Sequence, residues 1–369
     1  MSIAWAVSNK NVSTVILGAS RVEQLEETLK VIEFESKITP EVKEKIDAIV
    51  QFVPKLPELN PLALALTRYL LNNPNIKGIR CPPGSLPFLP RASQVPSASL
   101  AQVPSKLVMA PNSSTPATKM THRFLGDSDL LVSKLALGSW MAYNEKYTVD
   151  GWFEMVKLAY EHGVNFYDTA EVYGNGQAEE LLGGAIKKGI AEGLWSREDL
   201  VISTKVFSGT KGFTESGPND QGNSRKHIVE GIKASLKRLD LEYVDVVFSH
   251  RPEPYTPTEE TVRAMNFVIN QGWAFYWGTS EWLASDIREA CEIADRLGLI
   301  RPIVEQAQYN IFVRNKVEYE FVDLYKKYKL GLTTWSPLAF GTLTGKYSDG
   351  KPEGSRYTGG HVQGRRPIR

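Results

Sequence analysis

Cysteine is scarce in this chain. Cys81 and Cys291 are the two present among 369 residues, far apart and in no metal-ligand spacing. A disulfide framework and a thiolate metal centre are thereby excluded, and the usage suits a reducing, cytoplasmic compartment. An excess of one charge is also lacking. The 43 Lys and Arg against 42 Asp and Glu leave a net charge of +1, so no global field draws the chain to nucleic acid or to a membrane surface. Long apolar runs are missing. The longest, PLALALTRYLL at Pro61 to Leu71, contains an arginine and falls short of the roughly 20 residues that span a bilayer. The opening residues MSIAWAVSNKNVSTV show no basic region followed by a long apolar core, so no leader is expected. Finally, no GxGxxG follows the first strand-like run, which argues against an open dinucleotide-binding sheet.

What is there is ordinary globular composition, 42% apolar and 23% charged, long enough for one large domain or two small ones. Ile3 to Val7 read as the end of an apolar helix, and VSTVILGAS as a buried strand. RVEQLEETLKVIEF places Val22, Leu25, Leu29 and Ile32 at helical spacing. Thr39 caps a further helix, TPEVKEKIDAIVQF, with Pro40 at its first position. From 53 to 119 prolines, serines and alanines dominate, and the stretch reads as linker or disorder.

Order returns at Met120. HRFLGDSDLLVS reads as a hairpin around Gly126 and Asp127. Strand candidates LALGSW, VNFYDTA, LVISTKVF, YVDVVFSH, AFYWGTS, RPIVEQAQYN and LTTWSPLA then alternate with helix candidates. Those helices are DGWFEMVKLAYEHG, AEELLGGAIKKG, RKHIVEGIKASLKRL, TEETVRAMNFVINQG, ASDIREACEIADRLG and KVEYEFVDLYKKYKLG, several stopping on glycine. Such alternation predicts a parallel sheet with helices outside. Seven strands here and one near the N-terminus make eight, the number for a closed (β/α)8 TIM barrel; a doubly wound open sheet is the competing architecture. The residues 358–369 are glycine-rich and basic and read as a solvated tail.

Reactive side chains fall at consecutive strand ends. VNFYDTA carries Asp168, the loop after it Tyr173, LVISTKVF carries Lys205, and YVDVVFSH ends on His250. In a parallel barrel these ends share one face, where chemistry is done. Singly, such an Asp or Lys is more often a surface ion pair, and a lone Tyr or His is as readily packing.

At these motifs the sequence closely resembles the aldo-keto reductases, and among them the β subunits of voltage-gated potassium channels and their soluble relatives. The shared wording is FYDTAEVYG, VISTKVF, SRKHIVEGIKASLKRLDLEYVDVVF, EETVRAMNFVINQGWAFYWGTS, VEQAQYN and TWSPLAFGTLTGKYSDG, covering Thr121 to Arg356 almost without a gap. IAWAVSNKNVSTVILGASRVEQL resembles the family's last strand and its flanks, but stands first here. The resemblance therefore implies a circularly permuted barrel. Residues 1–52 would be the last βα unit and C-terminal helix, 53–119 a linker, and 120–357 the hairpin and units one to seven. Most of the seventh helix would be missing. A linker of about sixty residues spans roughly 40 Å as a random coil, enough to cross a barrel. The low-complexity spacer and the abrupt loss of pattern after Arg356 favour the other origin, a non-functional product of misjoined coding segments, with Met109 or Met120 as the start of a second copy.

The resemblance implies carbonyl reduction by hydride from NADPH, on a small aldehyde or ketone. Tyr173 would be the proton donor, with its pKa of about 10 lowered by a nearby ammonium. Lys205 would supply that charge, Asp168 would hold Lys205, and His250 would orient the substrate oxygen. Channel subunits commonly carry asparagine where His250 stands, so the quartet favours an active enzyme. A channel β subunit, with a potassium channel α subunit as partner, is the alternative; relatives form tetramers, so a homo-tetramer is a candidate assembly. For NADP(H), Ser139 and Trp140 would lie beside the cofactor, Ser280 and Gln306 on the carboxamide, and Trp335 against the nicotinamide ring. Ser336, Pro337, Leu338, Ala339, Lys346 and Arg356 would line the pyrophosphate and ribose-phosphate path. Gly18, Ser20, Gln24 and Glu27 match the adenine end, where helix N–H groups can hold a phosphate. Three positions depart from the channel-subunit pattern: Glu281 in place of an arginine, Thr28 of an asparagine and Lys146 of a glutamine. A carboxylate beside the nicotinamide site has no explanation in the sequence.

Overall fold

The computed structural model describes residues 1–55, 118–140, 147–211 and 216–347. Its first elements are α1 (Ser2–Val7), β1 (Thr14–Leu17), α2 (Val22–Leu29) and α3 (Pro40–Val50). The hairpin β2 (His122–Phe124) and β3 (Leu131–Ser133) precedes β4 (Leu135–Gly138). Then come α4 (Val149–Glu161), β5 (Phe166–Asp168), α5 (Gln177–Ala191), β6 (Val201–Val206), α6 (Arg225–Leu239), β7 (Val244–Ser249) and α7 (Thr258–Asn270). The last are β8 (Ala274–Ser280), α8 (Ala284–Leu297), β9 (Val304–Gln308), α9 (Val322–Tyr328) and β10 (Gly331–Trp335).

Eight parallel strands close into a barrel in the ring order β1-β10-β9-β8-β7-β6-β5-β4. The early strand β1 makes the closure. Thr14 and Val15 pair with Thr333 and Thr334 on one side, while Val15, Ile16 and Leu17 pair with Leu135, Ala136 and Leu137 on the other. Its neighbours in space thus come more than a hundred positions later in the chain.

The pattern of each segment explains its element. In α4, Thr148 accepts a hydrogen bond from the Gly151 N–H at 3.1 Å, and Trp152, Phe153, Met155, Val156 and Ala159 form the buried face. Ser224 caps α6 in the same way through His227 N at 3.2 Å. Strand side chains alternate between two apolar layers. Val15, Leu17, Leu137, Tyr167 and Ile202 pack outward against the helices. Ile16, Ala136, Phe166, Val201, Val246, Phe248 and Val304 form a second cluster that fills the lumen, joined by Leu125 and Val132 of the hairpin. The hairpin covers the N-terminal ends of the strands. Its Gly126 has φ +63 and lies so close to the Ile303 carbonyl that a Cβ would collide with it.

Two helices depart from the simple periodic reading. The segment after α2 tightens into a 3-10 turn at Lys30–Lys37, where Glu35 is drawn onto Lys134 at 2.8 Å and Arg123 at 3.3 Å. The KVEYEFVDLYKKY segment opens with a π turn at Lys316–Glu320 before α9. The wider turn keeps Val317, Phe321 and Leu324 buried, while Lys316 reaches Glu281 and Glu318 reaches Arg314 and Tyr309. Most of the 53–119 stretch, the 358–369 tail and the expected gap at the seventh helix lie outside the described residues.

Candidate active site

All eight strands end on the same face, and the polar side chains crowd there. Asp168 closes β5 and is 3% exposed; Lys205 in β6 is fully buried. Lys205 Nζ donates to Asp168 Oδ2 at 2.5 Å and to the Thr169 carbonyl at 2.7 Å. Asp168 Oδ1 accepts from Ser203 Oγ at 2.8 Å and, across the lumen, from Gln306 Nε2 at 3.0 Å. Four bonds of this kind spread the charge of a buried pair that would otherwise be expensive. Lys205 Nζ also stands 4.9 Å from the centre of the Tyr173 ring, and an ammonium has three donors, so one remains for the phenol. Tyr173 meets His250 edge-on, ring centres 5.7 Å apart. The structure thus brings Asp168, Tyr173, Lys205 and His250 into one cluster.

Electrostatics assigns different states to these groups. Burial pushes the Tyr173 phenol above its ordinary range, while Lys205 pulls it down by charge and hydrogen bonding. The ammonium acts in the expected sense, but the net direction is upward, because desolvation is the larger effect. Tyr173 therefore stays protonated. Burial, then Arg251 and Lys205, holds His250 well below the usual histidine value, so its imidazole is neutral at pH 7.

The remaining candidates lie on the other side of the mouth, at the ends of β8, β9, β10, β1 and β4. Ser280 Oγ donates to the Gln306 carbonyl and accepts from Arg251 Nη1, both at 3.0 Å. Trp335 ends β10, and its indole N–H donates to Glu281 Oε1 at 3.0 Å. Ser336, Pro337, Leu338 and Ala339 turn the chain away, with Ser336 held through its carbonyl by Asn310 Nδ2 at 3.0 Å. Gly18 follows β1 and Ser139 follows β4. Trp140 is about half exposed, and Lys346 is exposed beside the Tyr347 ring. Ser20 N–H and Oγ both engage Gln24 Oε1 before α2, while Glu27 lies exposed on that helix. Arg356 and Lys146 lie outside the described residues.

The aldo/keto reductase family model matches residues 134–359. The chain belongs to the aldo/keto reductase family. Two relatives named as a probable voltage-gated potassium channel subunit beta are similar to it. The Arabidopsis thaliana protein is 56% identical over 239 residues, 64% of this chain and 70% of the relative. The Oryza sativa subsp. japonica protein is 54% identical over the same shares. A solved thermostable aldo-keto reductase, crystallised with the inhibitor epalrestat, superposes with a TM-score of 0.50 at 30% identity, covering 60% of this chain and 74% of that one.

In this aldo/keto reductase the mouth has the character of a nucleotide seat. Ser139 Oγ, His250 Nδ1 and Arg251 Nε are buried with no hydrogen-bond partner among the described residues, and buried polar atoms are normally satisfied. Arg21, the N-cap of α2, places no side-chain bond on that helix's free N–H groups. Backbone strain is concentrated here as well. Of the eight non-glycine residues with positive φ among the described residues, Gln51, Asp240 and Lys329 are ordinary helix C-caps. The other five, Asn175, Glu281, Ser336, Ala339 and Phe340, all sit in loops at the C-terminal ends of strands. The residues present fit a dinucleotide. By contrast, a cleft of about 380 Å³ between Trp5, Lys43, Asp47, Arg314 and Glu318 contains none of the quartet.

Sequence reasoning missed several supports. Glu171 Oε1 accepts from Phe207 N at 2.6 Å and Gly209 N at 2.8 Å, and meets His227 Nε2 at 3.1 Å. It ties the loop bearing Tyr173 to the loop after Lys205. Ser203, Arg251 and the contacts of Glu281 were missed too. Glu171 stands within the FYDTAEVYG motif and Ser203 two residues before Lys205, so position offered a hint, but partners some thirty-five residues away did not show.

Proposed function

We propose that this chain reduces aldehyde and ketone carbonyls, with NADPH as the bound hydride source. The observation that carries this reading is Lys205, wedged between Asp168 and the Tyr173 ring in a buried cluster. When bound, the dinucleotide would supply the hydride. Tyr173, kept protonated, donates its proton to the carbonyl oxygen as negative charge develops there. Lys205 stabilises the phenolate that remains, and Asp168 keeps Lys205 charged and in place. His250, neutral and with a ring nitrogen that has no partner among the described residues, orients the carbonyl oxygen by a hydrogen bond. General acid help of this kind is worth about 10² to 10⁴ in rate. Ser139, Trp140, Ser280, Gln306 and Trp335 would hold the nicotinamide half, and Gly18, Ser20, Gln24 and Glu27 the adenine end. Lys346 would add positive charge that favours NADP over NAD, and the resemblance proposes Arg356, which lies outside the described residues, for the same part. The test is nucleotide consumption by the purified full chain with aromatic aldehydes and quinones. NADPH is consumed in preference to NADH; failure with every substrate overturns the reading.

A second reading is favoured by the names of the relatives: an accessory subunit of a potassium channel; we propose a homo-tetramer as its assembly. Co-purification with a channel's cytoplasmic domain tests it. No helix among the described residues is long and apolar enough to cross a membrane, and a cytoplasmic location accords with both readings. We further read the chain order as permuted. The pairing of β1 with both β10 and β4 supports a structural place for the N-terminal strand in the barrel.

A further inference from the structure

We infer that Glu281 is a positioning residue that sets the orientation of the Trp335 ring at the cofactor seat. This deepens the reading of Trp335 as the surface against which the nicotinamide stacks, and rests on it. Glu281 stands one residue past β8, in the left-handed region at φ 59. Its Oε1 accepts both the Trp335 indole N–H at 3.0 Å and the Gln308 backbone N–H at 2.6 Å. Lys316 Nζ donates to the other oxygen at 3.0 Å and to the Glu281 carbonyl at 2.8 Å. One carboxylate therefore joins the ends of β8, β9 and β10 to the π turn that precedes α9.

The chemistry requires an acid there. An indole offers one donor and no acceptor, so only an acceptor can hold it. The acceptor must take two N–H groups on one oxygen and an ammonium on the other, which suits an ionised carboxylate. Burial opposes that charge, but Lys316, Arg251 and the hydrogen bonds from Gln308 and Lys316 together outweigh it and hold the Glu281 carboxyl below its ordinary range. Its charge is matched by Lys316, so a carboxylate beside the nicotinamide site does not repel a dinucleotide. Released from Glu281, the Trp335 ring gains freedom about its two side-chain torsions, and nucleotide binding must then order it.

The experiment uses the full chain with Glu281→Ala, Glu281→Gln, Lys316→Met and Trp335→Phe. Fluorotryptophan is incorporated, and the Trp335 resonance is assigned from the phenylalanine variant. In fluorine NMR without nucleotide, that resonance shifts and broadens in Glu281→Ala and Lys316→Met and returns towards wild type in Glu281→Gln, which keeps an acceptor. With NADPH, Glu281→Ala raises KM for nucleotide by about ten-fold, the loss of one charge-assisted hydrogen bond, while kcat falls less. In the Trp335→Phe background the same change raises KM by no more than about two-fold, because the bond it removes is already gone. An unmoved Trp335 resonance in Glu281→Ala and Lys316→Met, or equal KM effects in both backgrounds, overturns the inference. If Glu281→Ala does not fold, Lys316→Met decides by the same resonance. A moving resonance in a wild-type chain that binds no nucleotide upholds the positioning role and removes the cofactor reading instead.

Discussion

At the ends of β5 and β6, Asp168 takes donors from Lys205, Ser203 and Gln306, and Lys205 is fully buried among them. At the ends of β8 to β10, β1 and β4, the backbone is strained at Glu281, Ser336, Ala339 and Phe340, and Ser139 Oγ is buried without a partner among the described residues. The Asp168–Lys205 pair has its hydrogen bonds in place before any ligand arrives. The other side keeps polar atoms in reserve. On the proposed reading, groups that carry proton chemistry must stand ready, whereas groups that seat a nucleotide would regain their hydrogen bonds when it binds.

Substitutions on the two sides separate these behaviours. Lys205→Met gives the largest effect. It leaves Asp168 as an unpaired buried charge, costing about 3–5 kcal/mol in urea denaturation, and abolishes turnover. Tyr173→Phe follows, lowering kcat by about 10² to 10⁴ while nucleotide affinity holds, measured by steady-state kinetics and fluorescence titration. Ser203→Ala removes a donor to a charged acceptor and costs about 1.5–3 kcal/mol of stability. For His250, the folded pKa is depressed, so the unfolded chain binds the proton more readily. Stability is full above about pH 6.5 and falls as pH drops below it, by up to about 1.4 kcal/mol per pH unit. His250→Asn lacks that acid-side slope in denaturation series. Ser139→Ala is the smallest. Its hydroxyl has no partner among the described residues, so stability changes by less than about 0.5 kcal/mol, while the NADPH Kd rises about five-fold. Should Ser139→Ala cost as much stability as Ser203→Ala, the contrast between the two sides fails.

Much of this was legible in the sequence. The alternation of strand and helix, the Gly126 hairpin, the Thr39 cap and the four reactive strand ends all follow from local period and residue type. The closure by Thr14–Leu17 followed from resemblance, since no local pattern ties it to strands far along the chain. What stayed hidden depends on distance and burial. The carboxylate of Glu281 had no visible purpose until Trp335, Gln308 and Lys316 were seen around it. The upward direction of the Tyr173 phenol required knowing that desolvation outweighs the Lys205 charge. The resemblance proposes Ser280 and Gln306 for the seat, but their bonds to each other and to Asp168 have no signal in the sequence.

The proposed reaction delivers hydride to a carbonyl carbon beside Tyr173. The most direct measurement supplies the full chain with NADPH deuterated at the transferable position and an aromatic aldehyde, then weighs the alcohol by mass spectrometry. One deuterium is expected on the former carbonyl carbon with the wild-type chain, and a rate of labelling about 10² to 10⁴ lower with Tyr173→Phe. Unlabelled alcohol, or equal labelling by both proteins, would contradict it.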